Sequence, residues 1–263
     1  MKNIFFSVIV PNYNNATYLE QSLKSILNQT FTDYELIVID DVSTDSSVEV
    51  IKNILEQYPS QPSYLIELKN KAWNGGSRNC GIKKAIGKYI LFLDSDDWFE
   101  DKNCFQTIYD KIITNNYPDC VNISYNCLIG DNKSPQIMER NTQQLLVESC
   151  YVACWTKCIK RELVQLFPEN TLMEDVVEHI HTCDNIHTIV TIKEPLIVWN
   201  RNNVNSCSKE ENQNCQNGKW QSSMYRYAAD LMDLQLQSPC CEEHRKWRLS
   251  IVLNNIKEGK YIQ

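Results

Sequence analysis

The chain has 263 residues, 43% of them hydrophobic, which is enough to bury the core of one large domain or of a domain with an added helical part. Its formal net charge of −7 argues against a general nucleic-acid-binding protein, because such proteins usually present a basic surface. No apolar run reaches the roughly 20 residues of a membrane-spanning helix. The run over residues 4–10 leads directly into Pro11, which predicts a first strand and not a signal peptide.

Twelve cysteines are scattered along the chain, with no C-x-x-C pair. In a chain of this length without an export signal, this pattern predicts free thiols in a reducing cytosol. Cys150, Cys154 and Cys158 recur at helical spacing. Three histidines and a cysteine lie close together in the sequence but do not have the spacing of a zinc site. They are His179, His181, Cys183 and His187.

Strands and helices alternate in the first half of the chain. Apolar runs predict strands over residues 5–10, 35–40, 64–69 and 89–94, and helical periodicity predicts helices over residues 16–28, 45–58, 77–86 and 102–115. Such alternation is typical of an α/β fold with a mostly parallel, doubly wound sheet and helices on both faces.

The second half of the chain is less regular. The predicted elements are a strand over residues 120–126, a polar loop over 130–135, helices over 160–166 and 174–183, and strands over 186–192 and 196–199. A polar segment over residues 202–218 then leads to two amphipathic helices, over 220–236 and 241–256.

Acidic residues follow two of the predicted strands. Asp94-Ser95-Asp96-Asp97 ends one strand, and like charges this close repel one another unless a cation shares them or solvent surrounds them, so the cluster predicts a metal site. Asp40-Asp41 ends another strand. Ligands of open α/β sheets bind outside the carboxyl ends of the strands, so both clusters are expected to border one crevice. The alternative is that single carboxylates, such as Asp45 and Asp97, cap the following helices.

An ordered set of segments resembles the opening pattern of the inverting nucleotide-sugar glycosyltransferases with a GT-A fold, known as glycosyltransferase family 2. The matching segments are residues 7–14, 18–31, 35–41, 43–46, 74–75, 77–81, 87–90 and 92–97. The resemblance is thinner from residue 150 to residue 206, where the matching residues are Trp155, Lys157, Arg161, Glu162, Glu174, Asp175, Arg201 and Ser206. It implies a GT-A α/β fold followed by C-terminal helices.

The resemblance assigns a metal ion to the first acidic cluster. Asp96 resembles the family's ligand for Mn²⁺ or Mg²⁺, a hard cation that takes oxygen ligands and neutralises charge on a departing diphosphate. Asp94 resembles its partner, directed at the ribose or at a metal-bound water. Two roles remain open for Asp97, which are holding the acceptor sugar and capping a helix.

The resemblance also implies a set of residues that contact the nucleotide sugar. Asp41 resembles the carboxylate that accepts a hydrogen bond from a ring N–H of the base, and Tyr13 is placed to stack on that base unless it is a core aromatic. Arg78 is placed to reach the base or the diphosphate, unless it is a solvated helix charge. Pro11 and Ser95 complete the set. Uracil, thymine and guanine all offer a ring N–H, so family frequency alone favours a UDP-sugar.

Asp175 resembles the catalytic base of the family. In an inverting transfer, a carboxylate takes the proton of the acceptor hydroxyl while that oxygen attacks the anomeric carbon. The pair Glu174-Asp175 begins a predicted helix, and acidic residues are common there because they interact favourably with the helix dipole. An ordinary acidic first turn is therefore the alternative.

Together these features predict a metal-dependent hexosyl- or N-acetylhexosaminyl-transferase that uses a nucleotide sugar and a glycan or lipid-linked acceptor, in surface glycan biosynthesis. The predicted domains are a GT-A domain over residues 1–208, with a nucleotide-sugar half (1–118) and an acceptor half (119–208), and a helical extension over 209–263. A cytoplasmic location is implied, with contact to the inner face of the membrane left open. Two alternatives are a magnesium-dependent phosphoryl transferase or hydrolase, and a catalytically silent binding subunit.

Overall fold

The computed structural model describes residues 4–138, 153–169, 174–183, 185–204 and 206. The strands in chain order are β1 (Phe6–Asn12), β2 (Tyr34–Asp40), β3 (Ser63–Glu67), β4 (Tyr89–Phe92), β5 (Trp98–Phe99), β6 (Cys120–Ile129), β7 (Asn132–Gln136), β8 (Lys157–Lys160) and β9 (Ile189–Asn200). The helices are α1 (Ala16–Leu27), α2 (Ser47–Leu55), α3 (Trp73–Lys84), α4 (Cys104–Thr114) and α5 (Glu174–Cys183). The predicted helices over 220–236 and 241–256, and the extension over 209–263, lie outside the described residues.

One mixed sheet contains the strands of the described residues, in the order β3-β2-β1-β4-β8-β6-β9-β5, with β7 paired to β6. The first four strands run parallel, and β8 then pairs antiparallel with both β4 and β6. The parallel part carries the first half of the chain. This confirms the predicted α/β class with a mostly parallel sheet.

The core lies around the parallel strands. Every residue of β1, β2 and β4 is buried, which is typical of parallel strands covered on both faces. Helix α3 packs against β1 and β2, α1 packs against α2, and α4 packs against β6 and β9. Because β1, β2 and β4 run in the same direction, the loops that follow them meet at one edge of the sheet.

Two of the predicted elements in the second half are wrong. The polar loop predicted over residues 130–135 forms β7, an exposed edge strand in a hairpin with β6, where a proline is tolerated because the outer backbone groups face solvent. In place of the helix predicted over 160–166, the structure has the last residue of β8, a short 3-10 turn over Arg161–Leu163, and chain that is neither helix nor strand over 164–166. A short apolar run does not by itself distinguish a buried strand from a helix.

Strand β9 joins two segments that were predicted as separate strands. Its pairing with β6 shifts between Ile192 and Pro195, which is the signature of a bulge. The strand therefore continues through Pro195 to Asn200. Helix α5 begins and ends at the predicted residues, 174 and 183. In the described part of the chain, no helix is long and apolar enough to cross a membrane.

Candidate active site

Three loops at the carboxyl ends of β1, β2 and β4 form the candidate site. Asn12, at the end of β1, and Asn15, in the loop after it, each donate a hydrogen bond to one of the other two segments. Asn12 donates a hydrogen bond to Asp40 Oδ1 (2.8 Å), and Asn15 donates one to Ser95 Oγ (2.8 Å). Pro11 lies within β1, buried, in register with Ile39 of β2. The structure therefore brings both acidic clusters to the same edge of the sheet.

Asp41 is buried and holds the chain that leads into α3. Its Oδ1 accepts a hydrogen bond from the backbone N–H of Ala72 (2.6 Å), and its Oδ2 accepts one from that of Trp73 (2.9 Å). Lys71 Nζ lies 3.0 Å from the same Oδ2. The Asp41 carboxylate therefore fixes the start of α3 and the residue before it.

Tyr13 is the first residue of the loop after β1. Its side chain follows β1 and is 45% exposed, so the core-aromatic alternative does not apply. Lys71 Nζ lies over the ring, 2.8 Å from its centroid. Asn14, the next residue, has a positive φ of 51°, and its Oδ1 accepts a hydrogen bond from the backbone N–H of Thr44 (2.7 Å). The loop that carries Tyr13 is therefore pinned to the loop after β2.

The three aspartates of the loop after β4 have different surroundings. Asp94 is one-third exposed, with Oδ1 paired to Arg78. Asp96 Oδ2 accepts a hydrogen bond from Asn203 (2.7 Å). Burial, together with the charge of Asp94, raises the pKa of Asp96 to about 6. Asp97 is buried and its Oδ1 accepts a hydrogen bond from the backbone N–H of Asn200 (2.8 Å), so this carboxylate anchors the end of β9 and caps no helix.

Arg78 joins the two sides of the site. It is 3% exposed, and its terminal nitrogens lie 2.8 Å from Asp94 Oδ1 and 2.5 Å from Glu174 Oε1. The guanidinium lies over the ring of Phe167, with the central carbon 5.3 Å from the centroid. Arg78 is therefore not a solvated helix charge. It links the acidic loop after β4 to the first turn of α5.

A glycine allows this link to form. A Cβ atom on Gly75 would meet the carbonyl oxygen of Pro168 and the side chain of Glu174. Only a residue without a side chain lets the start of α3 approach the segment before α5 so closely. Gly75 thus serves packing between the two halves of the site.

The first turn of α5 presents two carboxylates in unlike positions. Glu174 is buried against Arg78, and burial raises its pKa to about 7 while the guanidinium acts in the opposite direction. Asp175 is only partly buried. Below them, burial raises the pKa of Glu178 to about 7, opposed by the charge of Lys157. Thr182 donates a hydrogen bond to Glu178 Oε1.

The donor set after β4 fits a hard divalent cation that is held mainly by its substrate. Asp94 pairs with Arg78 through Oδ1, and Asp96 pairs with Asn203 through Oδ2, so the pairs use one carboxylate oxygen of each residue. Mg²⁺ is usually bound through one or two carboxylates plus phosphate and water. No cluster of three or more acidic, cysteine or histidine ligands occurs within the part of the chain that the structure describes. Burial disfavours the charged form of the Asp96 carboxylate, and a bound cation would stabilise that charged form.

Sequence reasoning missed several residues of this site. Asn15 and Asn203 hold the acidic loop, with Asn203 also donating to Asn15 Oδ1 (3.1 Å), and neither belongs to a recognisable spacing. Lys71 was not singled out either. Glu174 was seen only as the neighbour of Asp175. Such residues are joined by the fold across as many as 188 positions, so a local pattern carries no signal for them.

Comparison with known families decides the assignment. The model of the family described as Glycosyl transferase family 2 matches residues 7–167, which is more than half of the chain. The chain belongs to this family. The predicted family is confirmed, and the matched region includes β1 to β8 and the acidic residues after β2 and β4.

One protein with a similar sequence comes from Escherichia coli. It is named UDP-Glc:alpha-D-GlcNAc-diphosphoundecaprenol beta-1,3-glucosyltransferase WfgD and is 33% identical over 172 residues, which cover 64% of each chain. The matched segments cover 41% and 36% of the length of two other curated relatives, so the chain spans less than half of those proteins.

Solved structures share the fold. S. aureus TarS 1-349 in complex with UDP-GlcNAc superimposes with a TM-score of 0.73 at 24% identity, covering 95% of this chain and 72% of that one. The mannosyltransferase PcManGT from Pyrobaculum calidifontis, in complex with GDP-Man and Mn²⁺, has a TM-score of 0.63 at 14% identity and covers 97% and 74%. At these identities the likeness concerns the fold, and it confirms the GT-A architecture.

Proposed function

We propose that this family 2 chain is a metal-dependent, inverting glycosyltransferase that moves a sugar from a UDP-sugar to a hydroxyl acceptor. The observation that carries the proposal is the ion pairing of Arg78 with both Asp94 and Glu174. This pairing brings the loop that is proposed to hold the donor diphosphate next to the first turn of α5. The same turn carries the proposed base, Asp175. A reaction between two bound substrates requires that proximity.

The donor side is proposed to use the loops after β1, β2 and β4. Tyr13 and Asp41 contact the base, and Pro11, Arg78 and Ser95 shape the rest of the nucleotide-sugar site. UDP is favoured because the E. coli relative is named for UDP-Glc and the S. aureus structure holds UDP-GlcNAc. A protein that shares only the fold, the Pyrobaculum calidifontis mannosyltransferase, binds GDP-Man, so the choice of UDP over GDP belongs to the proposal.

Asp96 and Asp94 are the proposed ligands of Mn²⁺ or Mg²⁺. A divalent cation there neutralises charge that develops on the departing diphosphate. Asn203 holds the Asp96 carboxylate through a hydrogen bond of 2.7 Å, so one oxygen is fixed while the other is directed elsewhere. Arg78 does the same for Asp94.

Asp175 is the proposed base. Its carboxylate takes the proton of the acceptor hydroxyl while that oxygen forms the new bond to the anomeric carbon and the bond from that carbon to the diphosphate breaks. The electron pair of the broken bond leaves with the diphosphate, and the configuration inverts. Glu174 is less suited to this role, because it is buried and its carboxylate is paired with Arg78.

The acceptor is proposed to be a glycan or a lipid-linked sugar. Support comes from the E. coli relative, whose name specifies a diphosphoundecaprenol-linked acceptor. The proposed division at residues 118/119 puts β6, β8, β9 and α5 in the acceptor half. The phosphoryl-transfer alternative has no support from the family match, and the silent-subunit alternative is left to experiment.

The test is release of nucleoside diphosphate from a panel of UDP-glucose, UDP-GlcNAc and GDP-mannose, with and without Mn²⁺ and with a lipid-diphosphate sugar acceptor. We expect metal-dependent turnover of a UDP-sugar by the wild type. Asp96→Asn should reduce it by at least about 10²-fold, since one electrostatic contact to developing charge is commonly worth that much. Asp131→Asn, an exposed carboxylate at a turn, is the matched control. Turnover that is independent of metal and unaffected by Asp96→Asn would contradict the proposal.

A further inference from the structure

Lys71 lies in the middle of the proposed base site. Its ammonium nitrogen is 2.8 Å from the centroid of the Tyr13 ring and 3.0 Å from Asp41 Oδ2. It also donates a hydrogen bond to the backbone carbonyl oxygen of Asp41 (3.3 Å). One cation therefore contacts both side chains that are proposed to recognise the base.

A base and this ammonium exclude each other on that face of Tyr13. Two stacked rings are separated by about 3.5 Å, the ordinary contact distance between carbon atoms. Lys71 Nζ lies within that distance of the ring centroid, so it occupies the volume that the base would fill. Stacking on this face requires that Lys71 move first.

The same ammonium covers Asp41. Both carboxylate oxygens already accept backbone hydrogen bonds, from Ala72 and Trp73, and Lys71 takes a further position on Oδ2. The Asp41 side chain is only 4% exposed in this arrangement. Departure of Lys71 would expose a lone pair of Oδ2 toward Tyr13, where a ring N–H of a base could donate to it.

We propose that Lys71 closes the base site of the nucleotide-free protein and sets its affinity, because a base binds only after displacing the Lys71 ammonium from Tyr13 and Asp41. This inference rests on the proposed function, in which Tyr13 and Asp41 contact the base.

The loop can release Lys71 without unfolding. The neighbouring backbone is held by the hydrogen bonds from Ala72 and Trp73 to Asp41, which do not involve the lysine side chain. The Lys71 side chain is 32% exposed, so it can rotate toward solvent. Opening then exchanges a partly exposed ion pair, a long hydrogen bond to the Asp41 carbonyl oxygen and the contacts with the Tyr13 and Trp73 rings for contacts with water.

The deciding experiment measures uridine binding to the wild type and to Lys71→Met by NMR titration. Uridine has no phosphate to which a lysine could be drawn, so its affinity reports the base site alone. Lys71→Met should bind uridine about 3- to 10-fold more tightly, because the closed population no longer competes. Lys69→Met, an exposed lysine two residues earlier, should bind as the wild type does.

Salt provides a second readout. Raised ionic strength weakens the Lys71–Asp41 pair, so it should improve uridine binding to the wild type while leaving Lys71→Met unchanged. Unchanged or weaker uridine binding by Lys71→Met would overturn the inference. Sugar transfer is measured in the same preparations. Tighter uridine binding without transfer would uphold the role of Lys71 and contradict the proposed function, whereas transfer with unchanged uridine binding would do the reverse.

Discussion

The guanidinium of Arg78 lies between two carboxylates that are 80 positions apart in the sequence, Asp94 and Glu174, and the group is 3% exposed. Removing one partner of such a buried pair leaves an uncompensated charge, which is costly. Its Nε has no hydrogen-bond partner within the described residues, so the side chain depends on these two pairs. At the residue scale, Glu174 therefore holds Arg78, whereas its neighbour Asp175 is the proposed base.

Asp175→Asn should therefore impair chemistry and not donor binding. The amide keeps the shape of the side chain but cannot take a proton, and loss of a general base commonly costs about 10²–10⁴ in rate. We expect kcat to fall by that factor while the Kd for the UDP-sugar stays within about twofold, since the base acts mainly in the transition state. Single-turnover kinetics and calorimetric titration measure the two quantities.

Glu174→Gln is the matched control. It weakens a charged hydrogen bond to Arg78, so it should lower the free energy of unfolding by about 1.5–3 kcal/mol and leave the pH profile of turnover in place. If Glu174→Gln abolished transfer while Asp175→Asn remained fully active, the base would be Glu174.

At the element scale, the turn from α3 into β4 is packed against β1 without spare room. A Cβ atom on Gly87 would lie 2.5 Å from the backbone nitrogen of Ser7 and 2.7 Å from the carbonyl carbon of Phe6. The Gly87 N–H donates to Ser7 Oγ (2.8 Å), and Ser7 in turn donates to Glu35 Oε1 (2.6 Å). The contact therefore joins β1, β2 and the turn before β4 through buried polar groups.

Gly87→Ala should destabilise the protein by at least about 1–3 kcal/mol, because the added methyl meets backbone atoms of β1 that cannot rotate away. The lower urea midpoint would report this loss. Ile86→Ala, at a neighbouring side chain that is 63% exposed, should leave the free energy of unfolding within about 0.5 kcal/mol of the wild type. Equal midpoints for Gly87→Ala and the wild type would show that β1 yields at this contact.

Asp119, before β6, ties that strand to β8 and to the start of β9. Burial alone would raise the pKa of Asp119, but hydrogen bonds from Lys160 and from the backbone of His187 and Thr188 lower it to about 2. A carboxyl group whose pKa is lower in the folded state stabilises the fold above its unfolded pKa of about 4, and loses that contribution as the pH falls toward 2.

Asp119→Asn should thus reduce the free energy of unfolding by about 1–2 kcal/mol at pH 7. The difference from the wild type should shrink between about pH 4 and pH 2, because the wild-type carboxyl then takes up a proton. Urea unfolding at pH 7, 4 and 3 measures both. A difference that stayed constant over this range would mean that the carboxylate charge is not the source of the stability.

At the scale of the whole molecule, the candidate site is built from loops of both halves of the described chain. Asn203, after β9, donates to Asp96 after β4 and to Asn15 after β1. A ligand that binds this site in the folded state only should stabilise the whole domain.

UDP and Mn²⁺ together should raise the melting temperature more than the sum of their separate effects, because in the proposed site both the carboxylates and the diphosphate would hold the metal. A ligand at about 100 times its Kd adds about 2.7 kcal/mol, which corresponds to a shift of roughly 5–10 °C for a protein of this size. Differential scanning fluorimetry measures it. Equal stabilisation by ADP and UDP, or no contribution from Mn²⁺, would count against a UDP-specific metal site.

Local pattern and family resemblance predicted the parallel half of the sheet, the family and helix α5. Buried parallel strands such as β1 and β2 are nearly continuous apolar runs, and each is followed by a polar loop, so their positions can be recognised from neighbouring residues alone. The acidic residues after β2 and β4 are equally local. These elements therefore needed no knowledge of tertiary contacts.

Only the tertiary structure decided the partners of those residues. The short run Lys157–Lys160 is a strand because it completes the sheet between β4 and β6, and Asn132–Gln136 is a strand because β6 offers it an edge. Likewise, Arg78, Lys71 and Asn203 acquire their positions from residues far away in the chain. Sequence spacing determines what a side chain can do chemically, whereas hydrogen bonds and ion pairs across the fold determine which charge it meets, and such long-range pairing leaves no periodic trace.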